Sequence, residues 1–386
     1  MRIRLIFSCI VLCACVLVFR LYSIQIVNAE KYSDKADQQH KRPSSNIFNR
    51  GTIFFQKKDG VQVSAASLQS GYVVAINPGT LKNPEEVYSK LVEIVPTLDR
   101  DIFLSRAKKE GDPYEEILKH VDAQTGEKIE ALNISGLDIF KEKWRFYPGE
   151  SMAAHALGII AYKGNELGGR YGLERFYEDL LDKENSSTYA NFFVEIFLNI
   201  KDSVSNRPTS HGDIVTTIEP SVQAFLESEL EKVNAKWSSD YSGGIIIDPK
   251  NGEIMAMGVY PTFNPNSFQE EKNPAIFSNQ LVENVYEMGS IIKPLTISAG
   301  IDAGAVTPET TYDDTGSVTF NGKTFSNYDG KGRGVVSMQE VLNQSLNTGA
   351  AFVMKEMGKE KFSEYMINFG LGEKTSIDLP NEAAPL

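Results

Sequence analysis

Cysteine is nearly absent from this chain. There are three in 386 residues, Cys9, Cys13 and Cys15, and none beyond. No disulfide can form in anything that follows the first apolar run, which is compatible with an exported domain, although cytosolic proteins can lack cysteine too. Histidine is also scarce: the four, His40, His120, His155 and His211, are scattered without ligand spacing, so no metal site and no cofactor is expected. Positive charge is in deficit, with 39 Lys and Arg against 51 Asp and Glu. The net charge of −12 and the pI near 5.0 argue against a nucleic-acid partner. No repeat or low-complexity tract appears.

What is present begins with length. At 386 residues, 41% of them hydrophobic, the chain has room for more than one packed domain. Arg2 and Arg4 form a basic leader, and Leu5 to Phe19 is apolar and uncharged. That run is short of the ~20 residues of a span, but Ile3 and Leu21 to Val27 extend it if Arg20 snorkels. The leader places the N-terminus in the cytoplasm and the rest outside. A cleaved signal peptide is disfavoured because the chain stays apolar past Ala14, without a good small-x-small site. Leu12-Cys13-Ala14-Cys15 resembles a lipoprotein box, but lipidated Cys15 would begin an apolar mature terminus. An uncleaved signal-anchor helix over 1–27 is the favoured reading.

Chemistry concentrates late in the chain. Ser290 and Lys293 form a Ser-x-x-Lys step at the start of an expected helix, Ile291 to Ala299, which puts both side chains on one face, one turn apart. A serine hydroxyl is a poor nucleophile until a neighbour takes its proton, and a desolvated lysine amine can do so. A second copy, Ser105 to Lys108, lies in a charged stretch that reads as a solvated helix face. Downstream, Ser345-Leu346-Asn347 is a Ser-x-Asn step, with another copy at Ser44 to Asn46, close to the apolar run. Only Ser290/Lys293 and Ser345/Asn347 fall in the order and spacing of a serine acylation site.

The surrounding wording carries a resemblance. Gly243 to Pro249, Asn251 to Met257 and Pro261 to Asn266 resemble the opening of a penicillin-binding transpeptidase domain, and the likeness continues to Gly358. Earlier, Arg50-Gly51-Thr52-Ile53 with Asp59-Gly60 is similar to the juxtamembrane strands of the class B branch. Trp144 to Gly149, Ala153 to Gly158 and Gly172 to Tyr177 resemble that branch's non-catalytic pedestal, most closely the division type. The chain is thus identified as similar to class B penicillin-binding proteins. The resemblance implies an α/β (α+β) penicillin-binding and serine β-lactamase-like domain over 216–386. Before it come an α+β pedestal, of the dimerisation type, over 28–215 and one transmembrane helix.

By the same resemblance Ser290 is the acylated nucleophile and Lys293 its proton acceptor. Ser345 relays a proton to the leaving group, and Asn347 holds Lys293 or the substrate amide. The implied activity is peptidoglycan D,D-transpeptidation at D-Ala-D-Ala of stem peptides, with acylation by β-lactams, in a single-pass protein of the cytoplasmic membrane with its catalytic domain outside. Division proteins and a glycosyltransferase are the further partners expected. A non-catalytic division scaffold and a β-lactam sensor are the rival readings. Two departures stand out. Ile291 replaces the usual threonine after the nucleophile, and the family's third element, Lys-Thr-Gly on a strand, is missing. Lys374-Thr375-Ser376 is rejected as a substitute, because it precedes Ile377 to Pro380, wording of a different family segment. The resemblance therefore implies that the 386 residues stop inside the catalytic domain.

Local patterns give the elements. Pro84 to Val95, Asp101 to Lys109 and Pro220 to Ala235 have helical spacing. Ile245–Ile247 and Ile254–Val259 flank Asn251-Gly252 as a hairpin, and Ser337 to Glu340 is a capping-box pattern. Phe263 to Asn279 reads as irregular loop. Glu174 suits an internal ion pair, and His155 a packed or capping role.

Overall fold

A computed structural model describes residues 49–109, 111–163, 166–182 and 212–384. The expected anchor helix and the Ser44–Asn46 step lie outside these residues, and no helix of the described residues is long and apolar enough to cross a membrane.

The first module is a sheet with helices on one face. Strands β1 (Ile53–Gln56) and β2 (Gln62–Ile76) pair antiparallel around the Asp59–Gly60 turn. β2 runs for 15 residues, so its second half becomes the centre of the sheet. There it pairs with β3 (Glu115–Val121) on one side and β4 (Leu137–Phe146) on the other. Side chains alternate across a strand, and Val74 and Ile76 bury against helices α1 (Pro84–Ile94), α2 (Arg100–Ala107) and α3 (Ala123–Glu130) through Leu91, Phe103 and Ile129. Asp99 and Asp122 cap α2 and α3 by accepting from the Ile102 and Thr125 N–H groups, which satisfies donors the helix leaves orphaned.

A short hairpin, β5 (Ile160–Lys163) and β6 (Glu166–Gly169), and three helical turns between Ala154 and Leu181 follow. The chain then returns as β7 (Ile214–Val215), parallel to β1. Pairing with β1 continues past the strand, from Thr216 N–H to Phe54 O and from Gln56 N–H to Ile218 O. The return passes so close to Gly51 that a Cβ there would lie 1.8 Å from Gly212 O, which only glycine tolerates.

The second module starts with α4 (Pro220–Trp237), with Pro220 in its first turn and the Glu219 carboxylate accepting from Val222 N–H. α4 lies on the hairpin β8 (Ser242–Ile247) and β9 (Ile254–Tyr260), whose turn places Gly252 at φ 79°. The buried Gln223 amide completes this packing by bonding both the N–H and the C=O of Met257. Residues 263–279 are more ordered than a loop. Two short 3₁₀ turns form there because Asn264 and Asn273 each accept from the N–H two residues on, ahead of Pro265 and Pro274.

After Ser290 comes α5 (Lys293–Asp302). Two small antiparallel pairs then form, β10 (Thr311–Asp314) with β13 (Gly334–Ser337) and β11 (Ser317–Phe320) with β12 (Lys323–Ser326). Helices α6 (Met338–Asn343), α7 (Asn347–Met357) and α8 (Lys359–Asn368) end the described chain's regular structure. Ile297, Met338, Val341, Leu346 and Val353 form the core beneath them.

The modules share a core. Ile53 and Phe55 of β1, Leu157, Leu173 and Leu181 pack in one cluster with Met257 and Val282 of the second module. Polar groups stitch the same seam. Asn266 bonds both backbone groups of Tyr147, the Glu227 carboxylate accepts from Ala153 N–H, and Tyr177 OH donates to Asp378.

Candidate active site

Gly289 adopts φ 62°, a left-handed conformation that a side chain would strain, and this turns the chain into a single 3₁₀ turn, Gly289–Ile292. Lys293 and Pro294 then open α5, so the regular helix starts two residues later than the sequence spacing implies. Ser290 stands exposed in that first turn, where N–H groups have no partner in the helical ladder. Lys293 points inward and is only 8% exposed.

The Lys293 amine meets three oxygens. It lies 3.1 Å from Ser290 Oγ, 2.9 Å from Ser345 Oγ and 2.6 Å from Ser345 O. Among the described residues no carboxylate pairs with it, and burial holds its pKa below the usual lysine value. The Ser345 carbonyl can only accept, so it takes one N–H in either protonation state. In the neutral amine, a second N–H can serve Ser345 Oγ and leave the lone pair for the Ser290 hydroxyl proton. Removing water from the amine and denying it a counter-ion both favour that base form.

Ser345 itself is held in an unusual backbone state, with φ 53°. Its neighbour Leu346, the position the motif leaves free, is fully buried against Ile297 and Val353. Asn347 is brought close in sequence but not onto Lys293: its amide donates to Ser326 O at 2.7 Å, at the end of β12. That corrects one of the two roles expected of Asn347. The reason is that α7 begins at this residue, which sends the side chain toward the β11–β12 pair.

The remaining sequence candidates separate cleanly. Ser105 is exposed on α2 and donates to Ile102 O of its own helix. Lys374-Thr375-Ser376 lies in an exposed turn, not on a strand, where the Glu382 carboxylate accepts from Thr375 and Ser376. Glu174 is wholly buried between Arg50 Nε at 2.7 Å and Arg145 Nε at 2.6 Å. His155 is buried, edge-on to Phe263, with Nε2 2.9 Å from Ile276 O. Glu174 and His155 thus take the ion-paired and packed roles expected of them.

Sequence reasoning missed one polar cluster beside the site. The Asp314 carboxylate, 2% exposed, accepts from Thr348 Oγ1 at 2.7 Å, from Asn327 Nδ2, and from the N–H groups of Gly316 and Arg333. Asp, Asn and Gly at these positions read as ordinary turn formers, and no spacing rule links 314, 327 and 348.

The fold and the Ser290–Lys293–Ser345 array define a two-module protein built around a serine–lysine site. Comparison with known proteins agrees. Residues 49–217 match the penicillin-binding protein dimerisation domain, and residues 243–385 the penicillin-binding protein transpeptidase domain. Stage V sporulation protein D of Bacillus subtilis is 29% identical over 375 residues, 94% of this chain and 56% of that protein. The peptidoglycan D,D-transpeptidase MrdA of Acinetobacter baumannii is 26% identical over 411 residues, 98% of this chain and 59% of that protein. Among solved structures, penicillin-binding protein 2X of Streptococcus thermophilus shares the fold. Its TM-score is 0.66 at 20% identity, over 88% of this chain and 54% of that one. The chain belongs to the penicillin-binding proteins, with a dimerisation domain followed by a transpeptidase domain. It spans less than two thirds of the length of these relatives.

Proposed function

We propose that this protein is a peptidoglycan D,D-transpeptidase that cross-links stem peptides through an acyl-enzyme on Ser290 and is acylated there by β-lactams. One observation carries the reading: a buried lysine amine with no carboxylate partner among the described residues, within hydrogen-bond reach of Ser290 Oγ and both Ser345 oxygens. Lys293 takes the Ser290 proton as Oγ attacks the D-Ala carbonyl carbon. Ser345 Oγ passes a proton to the departing D-Ala amine, and an acceptor amine then displaces the serine. The Ser290 N–H, free of the helical ladder, is placed to stabilise the oxyanion that forms. Asn347, two residues after Ser345, serves the substrate amide.

The test is labelling with a fluorescent penicillin in cells producing the protein. Ser290→Ala abolishes the labelled band and Ser105→Ala leaves it intact; a band that survives Ser290→Ala overturns the assignment.

The proposal extends to topology, with a signal anchor over 1–27 and modules over 28–215 and 216–386 on the outer face of the cytoplasmic membrane. The two matched family domains and the basic leader support this. Protease added to intact spheroplasts is expected to digest both modules, and full protection would contradict it.

A further inference from the structure

We propose that Asp314 is a positioning residue for this site: its buried carboxylate, through Thr348 and Asn327, fixes the turn that presents both Ser345 oxygens to Lys293. The inference rests on the acylation reading above.

Five hydrogen bonds converge on one carboxylate. Oδ1 accepts from Thr348 Oγ1 at 2.7 Å, Gly316 N–H at 3.0 Å and Asn327 Nδ2 at 3.0 Å. Oδ2 accepts from Arg333 N–H at 3.0 Å and Asn327 Nδ2 at 2.9 Å. A carboxylate is the one side chain that offers acceptors on both sides without a donor of its own. An amide there would turn an NH₂ group toward at least two donors whichever way it flipped. The Thr348 hydroxyl has a single hydrogen, and with that given to Asp314 its oxygen is free to accept from Tyr312 OH at 3.0 Å. Asn327 reinforces the arrangement by accepting from Thr348 N–H at 3.3 Å. Asp314, Asn327 and Thr348 are all at least nine-tenths buried.

This knot sits in the first turn of α7, three residues from Ser345. Ser345 is a non-glycine residue at φ 53°, a strained conformation that persists only where the surroundings over-determine it. Two anchors supply that constraint. Leu346, next to Ser345, is buried, and Thr348, three residues on, is tied to Asp314. Both hold the chain immediately after Ser345 and so restrain its swing away from Lys293. The groups facing the amine are hydroxyls and a carbonyl, so its position depends on this turn and not on an ion pair.

The experiment compares Asp314→Asn and Thr348→Val with Thr348→Ser, which keeps the hydroxyl donor. Two quantities are read with a fluorescent penicillin: the final labelled fraction and the acylation rate constant of the labelled molecules. A positioning role predicts a rate constant lower on the order of 10²-fold for the first two variants, at wild-type stoichiometry, with Thr348→Ser retaining the rate. Their pH–rate midpoint also moves up, as water reaches the amine. A fallen labelled fraction with unchanged rate constant and midpoint would show a purely structural role and overturn the inference. If the wild-type protein is not acylated at all, the functional reading fails separately. The inference is then decided by the pH dependence of Lys293 acetylation with acetic anhydride, read by mass spectrometry. A midpoint higher in Asp314→Asn and Thr348→Val supports it, and an unchanged midpoint refutes it.

Discussion

Lys293 is the residue on which the site turns, and its behaviour follows from what surrounds it. Burial disfavours the charged form, and no carboxylate among the described residues restores it, so the neutral amine appears at lower pH than in an exposed lysine. The rate of acylation is therefore expected to rise with pH through a midpoint below the ~10.4 of a free lysine; a midpoint at or above that value would remove Lys293 as the base. Lys293→Met keeps the length and apolar stem but no lone pair, and is expected to slow acylation by about 10²–10⁴-fold, the usual contribution of a general base. Stopped-flow acylation at several pH values measures both. At this scale the sequence was legible where chemistry constrains residue type. Ser290, Lys293 and Ser345 come together as their order and spacing imply. The partner of Asn347 was not legible, because Ser326 is met only through the folded β11–β12 pair. Nor was Asp314, whose five bonds join three separate segments of chain.

Elements were read best where one segment carries its own signal. Pro220, the Asn251–Gly252 turn and the Ser337 cap all act locally, and α4, the β8–β9 hairpin and α6 form where these residues place them. The Ser337 capping box is only half made: Ser337 accepts from Glu340 N–H, while the Glu340 side chain turns to Asn343 and Gln344. Long-range elements were harder. β2 outgrows its hairpin because β3 and β4, which are distant in sequence, flank its second half. The joint between β1, β4 and the turns at 172–181 rests on Glu174, whose side chain is fully buried with Arg50 and Arg145. Removing one member of such a cluster strands charge inside. Glu174→Gln takes this carboxylate from Arg145 and leaves Arg50 with Glu178 alone, and is expected to destabilise by about 3–5 kcal/mol, read from urea unfolding. Glu178→Gln should cost much less, since that carboxylate is 34% exposed where Glu174 is wholly buried. Equal costs for the two would mean that burial is not what makes Glu174 matter.

For the whole molecule the notable feature is that the two modules, besides a core of their own in each, share a third between them. β1 and the turns of the first module pack against β9 and Val282 of the second, and Leu379, from the segment that follows the rejected Lys-Thr-Ser turn, closes the same cluster. A pH-sensitive group lies in this seam. His155, on the first module, is buried, with its pKa pushed down to about 4 by desolvation. The Ile276 carbonyl on the second module can only accept, so His155 Nε2 carries the hydrogen, and burial favours the neutral ring over the imidazolium. In the unfolded chain the same histidine titrates near 6.5. Between those two values the unfolded state binds more protons, so stability rises with pH across that window and is lost as pH falls from about 6.5 toward 4. At pH 5 the loss from this group alone is about 2 kcal/mol. His155→Gln keeps an N–H donor for Ile276 but cannot be protonated. The variant is expected to start less stable at pH 7, because the ring packing against Phe263 is lost, and to lose less on acidification. Thermal unfolding at pH 7 and pH 5 gives the comparison as a difference of differences. If wild type and His155→Gln lose the same stability over that interval, the seam does not titrate through His155.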